Sequence, residues 1–194
     1  MVETLAPWRS LLSRALHRNR SLPEARYFQL ATVQSDGKPR NRTVVFRGFS
    51  DGGDIQVVTD QRSEKIAQIH HQHWGEICWY FSKTREQFRI TGQITLITEG
   101  STSRDELESR KQIWHNLSDN ARTQFAWPFP GHRRSVSDEF EVELPSPDEP
   151  LPQFSVLLLS PNRVDHLELR GEPQNRHIYE LIDVNQWKTQ VVNP

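Results

Sequence analysis

The densest candidate chemistry lies between residues 42 and 65. Arg42 opens a strand-like run, RTVVFRGF (42–49), and Arg47 stands near its end. A second run, IQVVT (55–59), leads through Asp60, Gln61 and Arg62 into a segment of helical spacing that starts with Ser63, Glu64 and Lys65. A strand entering a helix whose first turn holds Thr59, Ser63 and Lys65 suits a phosphate. The first N–H groups of a helix have no acceptor within it, and the helix dipole is positive there. Arg42 on a neighbouring strand adds a planar fork for the same anion. Plain capping by Asp60 or Ser63 with solvated charges is the simpler reading of these residue types, and both readings stand at this point.

A second segment, WYFSKTREQFRITG (79–92), places Gln87 at the start of a strand just after a hairpin turn. A glutamine amide donates and accepts at once, which matches the alternating polar edge of a flavin or nucleobase. His70, His71 and His73 with Glu76 read as a surface cluster near a helix C-terminus, so no metal site is expected. Cys78 reads as an inert core thiol. Trp79, Tyr80 and Phe81 read as core. No Ser-His-Asp or Cys-His pattern marks a nucleophile, and neither GxGxxG nor GxxxxGK[ST] occurs.

The elements that must position these residues follow from periodicity. Trp8, Leu11, Leu12, Ala15 and Leu16 share one helical face, so 8–19 is a helix within an N-terminal arm, 1–22, broken by Pro23. YFQLATV (27–33), 42–49 and 55–59, joined by the short turns 34–40 and 50–54, predict an antiparallel meander, because such turns cannot carry a parallel crossover. Residues 60–72 change to helical spacing. Strands follow at 76–81 and 87–97, then a helix over 103–117 and a loop over 125–134. Residues 135–152 are acidic and proline-rich and predict an exposed connection. Strands return at 154–159, 163–169, 176–181 and 186–192. The fold class is mainly β with flanking helices, an antiparallel barrel closed or nearly closed, in a single domain spanning 1–194.

Composition bounds the rest. Hydrophobic residues make up 35% of 194, enough for a core, and Lys+Arg 24 against Asp+Glu 25 excludes a polycation that grips nucleic acid non-specifically. No apolar run reaches the ~18–20 residues of a membrane span, and the N-terminus lacks a signal-peptide segment. One cysteine excludes an internal disulfide framework. A cytoplasmic protein without nucleic-acid or membrane partners is expected.

In their order along the chain, RTVVFRGF, VVTDQRSEK and WYFSKTREQFRITG, with PLPQFSVLLLSPNRVDHLEL and the closing NRHIYEL, W and VNP, resemble the pyridoxamine 5′-phosphate oxidase family from about residue 25 to 194. The resemblance implies a split β-barrel that binds FMN at a homodimer interface. Carried over by position, it assigns FMN to Arg42, Thr43, Val44, Val45, Val58, Thr59, Ser63 and Lys65 on one subunit. Glu64 replaces an arginine of the family's phosphate-binding triplet and should point away, with Arg62 restoring the charge. Gln87 and Arg176 would reach FMN from the other subunit.

The substrate side matches less well. Arg47 stands in place of the family's substrate lysine and would bind a substrate anion, a phosphate among the candidates. Arg122 is a second candidate anion contact and equally a helix-surface charge, and Trp127 with Phe129 would wall the site. Glu172, Pro173 and Gln174 occupy the place of the family's Arg-Leu-His substrate triplet. The resemblance therefore implies an FMN-dependent oxidoreductase of a small molecule, with no catalytic residue beyond the flavin. An FMN-dependent reductase or flavin carrier, and a non-enzymatic module for another anion or haem, remain open alternatives.

Overall fold

The computed structural model describes residues 5–194, so residues 1–4 of the expected arm lie outside the described part. Helix α1 (Arg9–Asn19) turns Trp8, Leu12 and Ala15 inward, the face its apolar spacing foretells. Asn19, fully buried, ends it. Its Nδ2 donates to the Ala15 carbonyl at 2.8 Å and to Thr84 Oγ1 at 3.0 Å, and its Oδ1 accepts from Lys83 N–H at 3.0 Å. A strand-connecting turn is thereby fastened under the helix.

The first strands are β1 (Tyr27–Val33), β2 (Pro39–Val45), β3 (Gly48–Phe49) and β4 (Ile55–Asp60). β1 and β2 form the expected hairpin, from Tyr27 opposite Val45 to Val33 opposite Pro39. The meander stops there. The run 42–49 is interrupted at Phe46 and Arg47, where the chain changes partners. Phe46 N–H donates to the Arg26 carbonyl at 2.8 Å, and Arg47 N–H donates to the Gln56 carbonyl at 2.9 Å. From there β3 pairs with β4 instead. Burial of Phe46 against Trp79 and Phe49 pins this switch, with ring centroids at 5.0 and 4.8 Å.

Helix α2 (Glu64–His71) then leads to β5 (Trp74–Phe81) and the long β6 (Glu86–Ile97). Helices α3 (Arg104–His115) and α4 (Asp119–Ala126) precede β7 (Phe154–Glu168), β8 (Asn175–Asp183) and β9 (Gln186–Val192). The sheet runs β2-β1-β5-β6-β7-β4-β3, all antiparallel, with β8 and β9 added beyond β7. Its two end strands, β2 and β3, are consecutive in the chain, so the sheet curls into a barrel that stays split between them. Alternate residues of β5 and β6 (Ile77, Trp79 and Phe81; Phe88, Ile90 and Ile94) fill the interior with Phe28, Leu30, Ile55, Val57 and Leu157. Each such side chain contributes about 1.5–3 kcal/mol on burial.

Several expectations change in the structure. Helix α4 falls between the expected helix 103–117 and the expected loop 125–134, in residues to which the sequence assigns no element, and it takes in the first two residues of that loop. Ser118 caps it by accepting from Ala121 N–H. Trp114, Leu117, Phe125, Phe154 and Val156 form a second apolar cluster outside the barrel. Tyr80 is exposed rather than core, and Cys78 is half-buried on the outward face, because strand alternation sends only Trp79 and Phe81 inward. The connection 135–152 is anchored by Trp114 Nε1–H to the Ser146 carbonyl and by Arg110 to the Leu151 carbonyl, at 2.8 and 2.7 Å.

The two expected strands 154–159 and 163–169 are one strand, β7, despite Pro161. A proline normally interrupts a central strand. Here the break is absorbed as a bulge opposite Thr91 and Gly92. The bulge brings the Ser160 carbonyl so close that a Cβ on Gly92 would lie 2.3 Å from its oxygen. At Gly75 the tightest contact of an added Cβ is the movable end of Ile94, at 2.6 Å. Gly92→Ala is therefore expected to destabilise by about 2–3 kcal/mol, and Gly75→Ala by clearly less. Thermal denaturation of the two variants checks this, and equal losses would mean that the bulge yields.

Candidate functional site

β2 and β4 face each other across the split without hydrogen bonding, since β2 pairs with β1 and β4 with β3 and β7. A cavity of about 540 Å³ opens over this gap. Arg42, Thr43, Val44, Val45 and Arg47 line it from β2 and the switch point. Val58, Thr59, Asp60 and Lys65 line it from β4 and α2. Helix α4 and the loop beyond it supply Phe125, Trp127 and Phe129, and the loop continues through His132, Arg133 and Arg134 to Phe140. The edge strand β2 thus offers backbone groups to a ligand beside the side chains.

One end of the cavity is a cationic cradle. Lys65 Nζ donates to Thr59 Oγ1 at 2.8 Å and to Ser63 Oγ at 2.9 Å. Ser63 precedes α2 in extended conformation, yet its hydroxyl donates to the Asp60 carbonyl at 2.7 Å instead of capping its helix. The first N–H groups of α2 are left open for an external acceptor. Arg42 donates to the Leu30 carbonyl, Thr32 Oγ1 and Gln68 Oε1 at 3.1, 2.6 and 2.7 Å, which leaves two of its five N–H groups. Among the described residues neither Lys65 nor Arg42 forms an ion pair. Burial first, then the Arg42 charge, pushes the Lys65 ammonium down to about 8, with Asp60 opposing. Two cations held side by side without an anion, among hydroxyls and a helix start, fit a phosphate.

Arg47 is the second unpartnered group. It is half-buried at the strand switch, its Nε lies buried without a hydrogen-bond partner, and burial lowers its pKa. Arg47 lines the cavity and forms no ion pair among the described residues, so its guanidinium fits an anionic ligand group there.

The structure brings Arg42, Thr43, Val44, Val45, Val58, Thr59, Lys65, Arg47 and Trp127 to one cavity, with Ser63 bound to its Lys65. It separates the others. Arg62 does not take over the charge of the missing arginine. Its guanidinium is bonded to Asp60 at 2.6 and 2.9 Å and to the Phe125 and Trp127 carbonyls at 3.2 and 3.0 Å. Glu64 stands off the cavity, as expected, on the side facing His70 and His132. Arg122 is not a ligand contact. It is only 5% exposed, pairs with Asp119 and donates to the Leu117 carbonyl, closing the turn between α3 and α4.

Gln87 and Arg176 lie outside this cavity, on the outward face of the sheet. They share one row through Leu167. Gln87 Oε1 lies 3.8 Å from Cys78 Sγ, and Arg176 makes a two-point pair with the buried Asp165 at 2.8 and 3.0 Å. Sequence reasoning missed Asp60, Gln124, Phe125, Arg133, Arg134 and Phe140. The aromatic and arginine content of FAWPFPGHRR hinted at Phe125, Arg133 and Arg134, and no local signal marked the other three.

The family model described as "Pyridoxamine 5'-phosphate oxidase, FMN-binding domain" matches residues 5–98. Pyridoxine/pyridoxamine 5′-phosphate oxidase 2 of Arabidopsis thaliana is 42% identical over 168 residues, covering 86% of this chain and 85% of that protein. The chain belongs to the pyridoxamine 5′-phosphate oxidase family. A pyridoxamine 5′-phosphate oxidase-related, FMN-binding protein of Nostoc punctiforme superposes with a TM-score of 0.95 at 54% identity, over 98% of this chain and 100% of its own. PhzG from Burkholderia lata, solved with tetrahydrophenazine-1-carboxylic acid, shares the fold at a TM-score of 0.79 and 21% identity, over 100% of this chain and 99% of that one. FMN is the cofactor of the family, and the Lys65–Arg42 cradle fits its phosphate. No helix among the described residues is long and apolar enough to cross a membrane.

The depressed Lys65 pKa gives FMN binding a pH dependence. In the free protein the ammonium titrates at about 8. A phosphate dianion favours the charged form, so above that pH binding must take up a proton. FMN affinity is expected to stay level from about pH 7 to 8, then fall, approaching tenfold per pH unit. Lys65→Arg keeps its charge and should flatten the alkaline limb. Flavin-fluorescence titrations across this range check it, and a wild-type affinity flat through pH 8 to 9.5 would take Lys65 away from the phosphate (a loss of about fifteenfold being expected there).

Proposed function

We propose that this chain is an FMN-dependent oxidoreductase of a small anionic molecule and works as a homodimer. The observation that carries the reading is the pairing, in one cavity, of a cationic cradle with a separate unpartnered arginine. Lys65, Arg42, Thr59 and Ser63 would hold the phosphate, and Val44 and Val45 on the edge of β2 would hold the rest of the cofactor. FMN, when bound, would supply a two-electron acceptor for oxidation of a carbon next to an amine or alcohol, with oxygen or another acceptor as the final oxidant. Arg47 binds and orients the substrate anion. Trp127 and Phe129 cover the cavity and keep water from the reacting carbon. A pyridoxamine-type phosphate ester fits this chemistry and is the first substrate to test. Glu172, Pro173 and Gln174, in the turn between β7 and β8, offer neither a cation nor an imidazole to it, so Arg47 carries more of the binding than its counterpart in the family.

The second copy completes the site. Gln87 and Arg176 stand on a broad outward face with exposed Tyr27 and Tyr80. A two-fold contact through this face places them against the other copy's cavity rim.

Lys65→Ala should weaken FMN binding by roughly 1.5–3 kcal/mol, tenfold or more, since a charged phosphate contact is removed. Arg47→Met should leave FMN binding intact while raising KM for pyridoxamine 5′-phosphate steeply. Flavin-fluorescence titration and an oxygen-consumption assay read the two effects. Light scattering reads the third expectation, a dimer of the FMN-loaded protein. A monomer with full FMN occupancy would sink the shared site, and absence of oxidation with every amine and alcohol phosphate tried would sink the enzyme reading.

A further inference from the structure

Arg62 is the best-connected cation near the cavity, although it does not line it. Its Nε and Nη2 grip both carboxylate oxygens of Asp60, its own N–H caps the same carboxylate at 2.7 Å, and Nη2 also donates to the Phe125 and Trp127 carbonyls. Its guanidinium carbon lies 4.9 Å from the centre of the Phe129 ring. Guanidinium and carboxylate are only 19% and 16% exposed. Gln153 reinforces the junction: its Nε2 donates to the same Phe125 carbonyl at 2.6 Å, while its own carbonyl accepts from Gln61 N–H at 2.7 Å. These bonds join the cradle's turn (60–63), the end of α4 with its aromatic loop, and the start of β7.

We propose that Arg62 is a positioning residue that braces the Trp127–Phe129 wall against the phosphate-binding turn. It fixes how far the wall stands over the flavin, and it does not itself hold the phosphate. The inference rests on the FMN reading of the cavity. A planar fork suits this task because a single group must meet one carboxylate and two carbonyls at fixed angles. Beyond the brace the loop has little to hold it. Phe129, Arg133 and Arg134 are exposed, and the loop is otherwise tied by a backbone turn from His132 N–H to the Phe129 carbonyl at 3.4 Å and by ring contacts, Phe129 with His132 at 5.2 Å, Trp127 with Phe140 at 5.8 Å and Arg134 over Phe140 at 4.3 Å.

The test compares wild type, Arg62→Ala, Arg62→Lys and Lys65→Ala in three readouts. These are the FMN dissociation constant, tryptic cleavage after Arg133 or Arg134 read by fragment mass, and iodide quenching of bound-flavin fluorescence at saturating FMN. Arg62→Ala should hold FMN within about threefold of wild type, yet raise loop cleavage about tenfold and expose the flavin to iodide, as expected for a locally opened wall. Arg62→Lys keeps the charge but not the fork and should recover only part of the shielding; it carries the same test if the alanine variant does not fold. Loss of FMN affinity as large as in Lys65→Ala, with cleavage unchanged, would make Arg62 a phosphate ligand and overturn the proposal. Unchanged cleavage and quenching would overturn it as well. If instead Lys65→Ala binds FMN like wild type, the cofactor reading fails, and cleavage of the unliganded proteins still decides the brace.

Discussion

The strand switch at Phe46 and Arg47 is the constraint on which the site depends. Within two residues the backbone stops pairing on the β1 side of the sheet and starts pairing on the β4 side. A strand that changes partners leaves its old edge open, so β2 and β4 end up neighbours without a ladder between them. In a soluble protein an open edge is normally blunted or covered. Here it is covered by helix α4 and an aromatic loop that stand off far enough to leave a cavity. The opening in the barrel and the ligand site are one feature. The core interlock of Phe46, Trp79 and Phe49 therefore serves the site as much as the fold.

The charges follow from that geometry. Lys65, Arg42 and Arg47 all face a partly desolvated gap without carboxylate partners, and burial pushes all three downward. Leaving such cations unpaired opposes folding. The arrangement makes sense when an anion is the missing partner, because ligand binding then recovers the interaction that folding forgoes. Arg89 and Arg176 on the outward face are the contrast. Arg89 is paired with Glu76 and, at longer range, with Asp165, and Arg176 with the buried Asp165, and these carboxylates raise both arginines. The same residue type is satisfied on one surface and left open on the other, and this difference, more than arginine content, marks the cavity.

Much of the architecture was legible in the sequence because strand alternation and turn chemistry are local. β1 and β9 fall where the pattern puts them, and Thr59, Ser63 and Lys65 meet as their spacing foretells. What was not legible depends on contacts between distant segments. The run RTVVFRGF gives no local sign that its middle changes partners. Pro161 reads as a break, since only Gly92, some seventy positions earlier, makes room for a bulge. Helix α4 carries a weak apolar stripe, and its burial depends on Trp114 and Phe154, which come from other elements. Arg122 looked like a ligand contact and is a turn closure, because residue type cannot show which carbonyls lie within reach.

Arg62 shows how a departure from a family pattern is absorbed. With Glu64 in place of an arginine, the cradle has one cation fewer, and Asp60 lines the cavity with a carboxylate that would repel a phosphate. An arginine added at the phosphate would be one remedy. The structure uses another: the two-point pair with Arg62 engages Asp60, and Glu64 stays out of the cavity lining, acting on Arg42 only through its charge. Lys65, Arg42 and Arg47 are then left facing the gap without an ion pair among the described residues. Because the same guanidinium also holds the Phe125 and Trp127 carbonyls, cancelling the unwanted charge and placing the wall are achieved by one side chain. A lysine could do the first of these as a point charge but lacks the geometry for the second, which is why the identity of residue 62, and not only its charge, matters to the site.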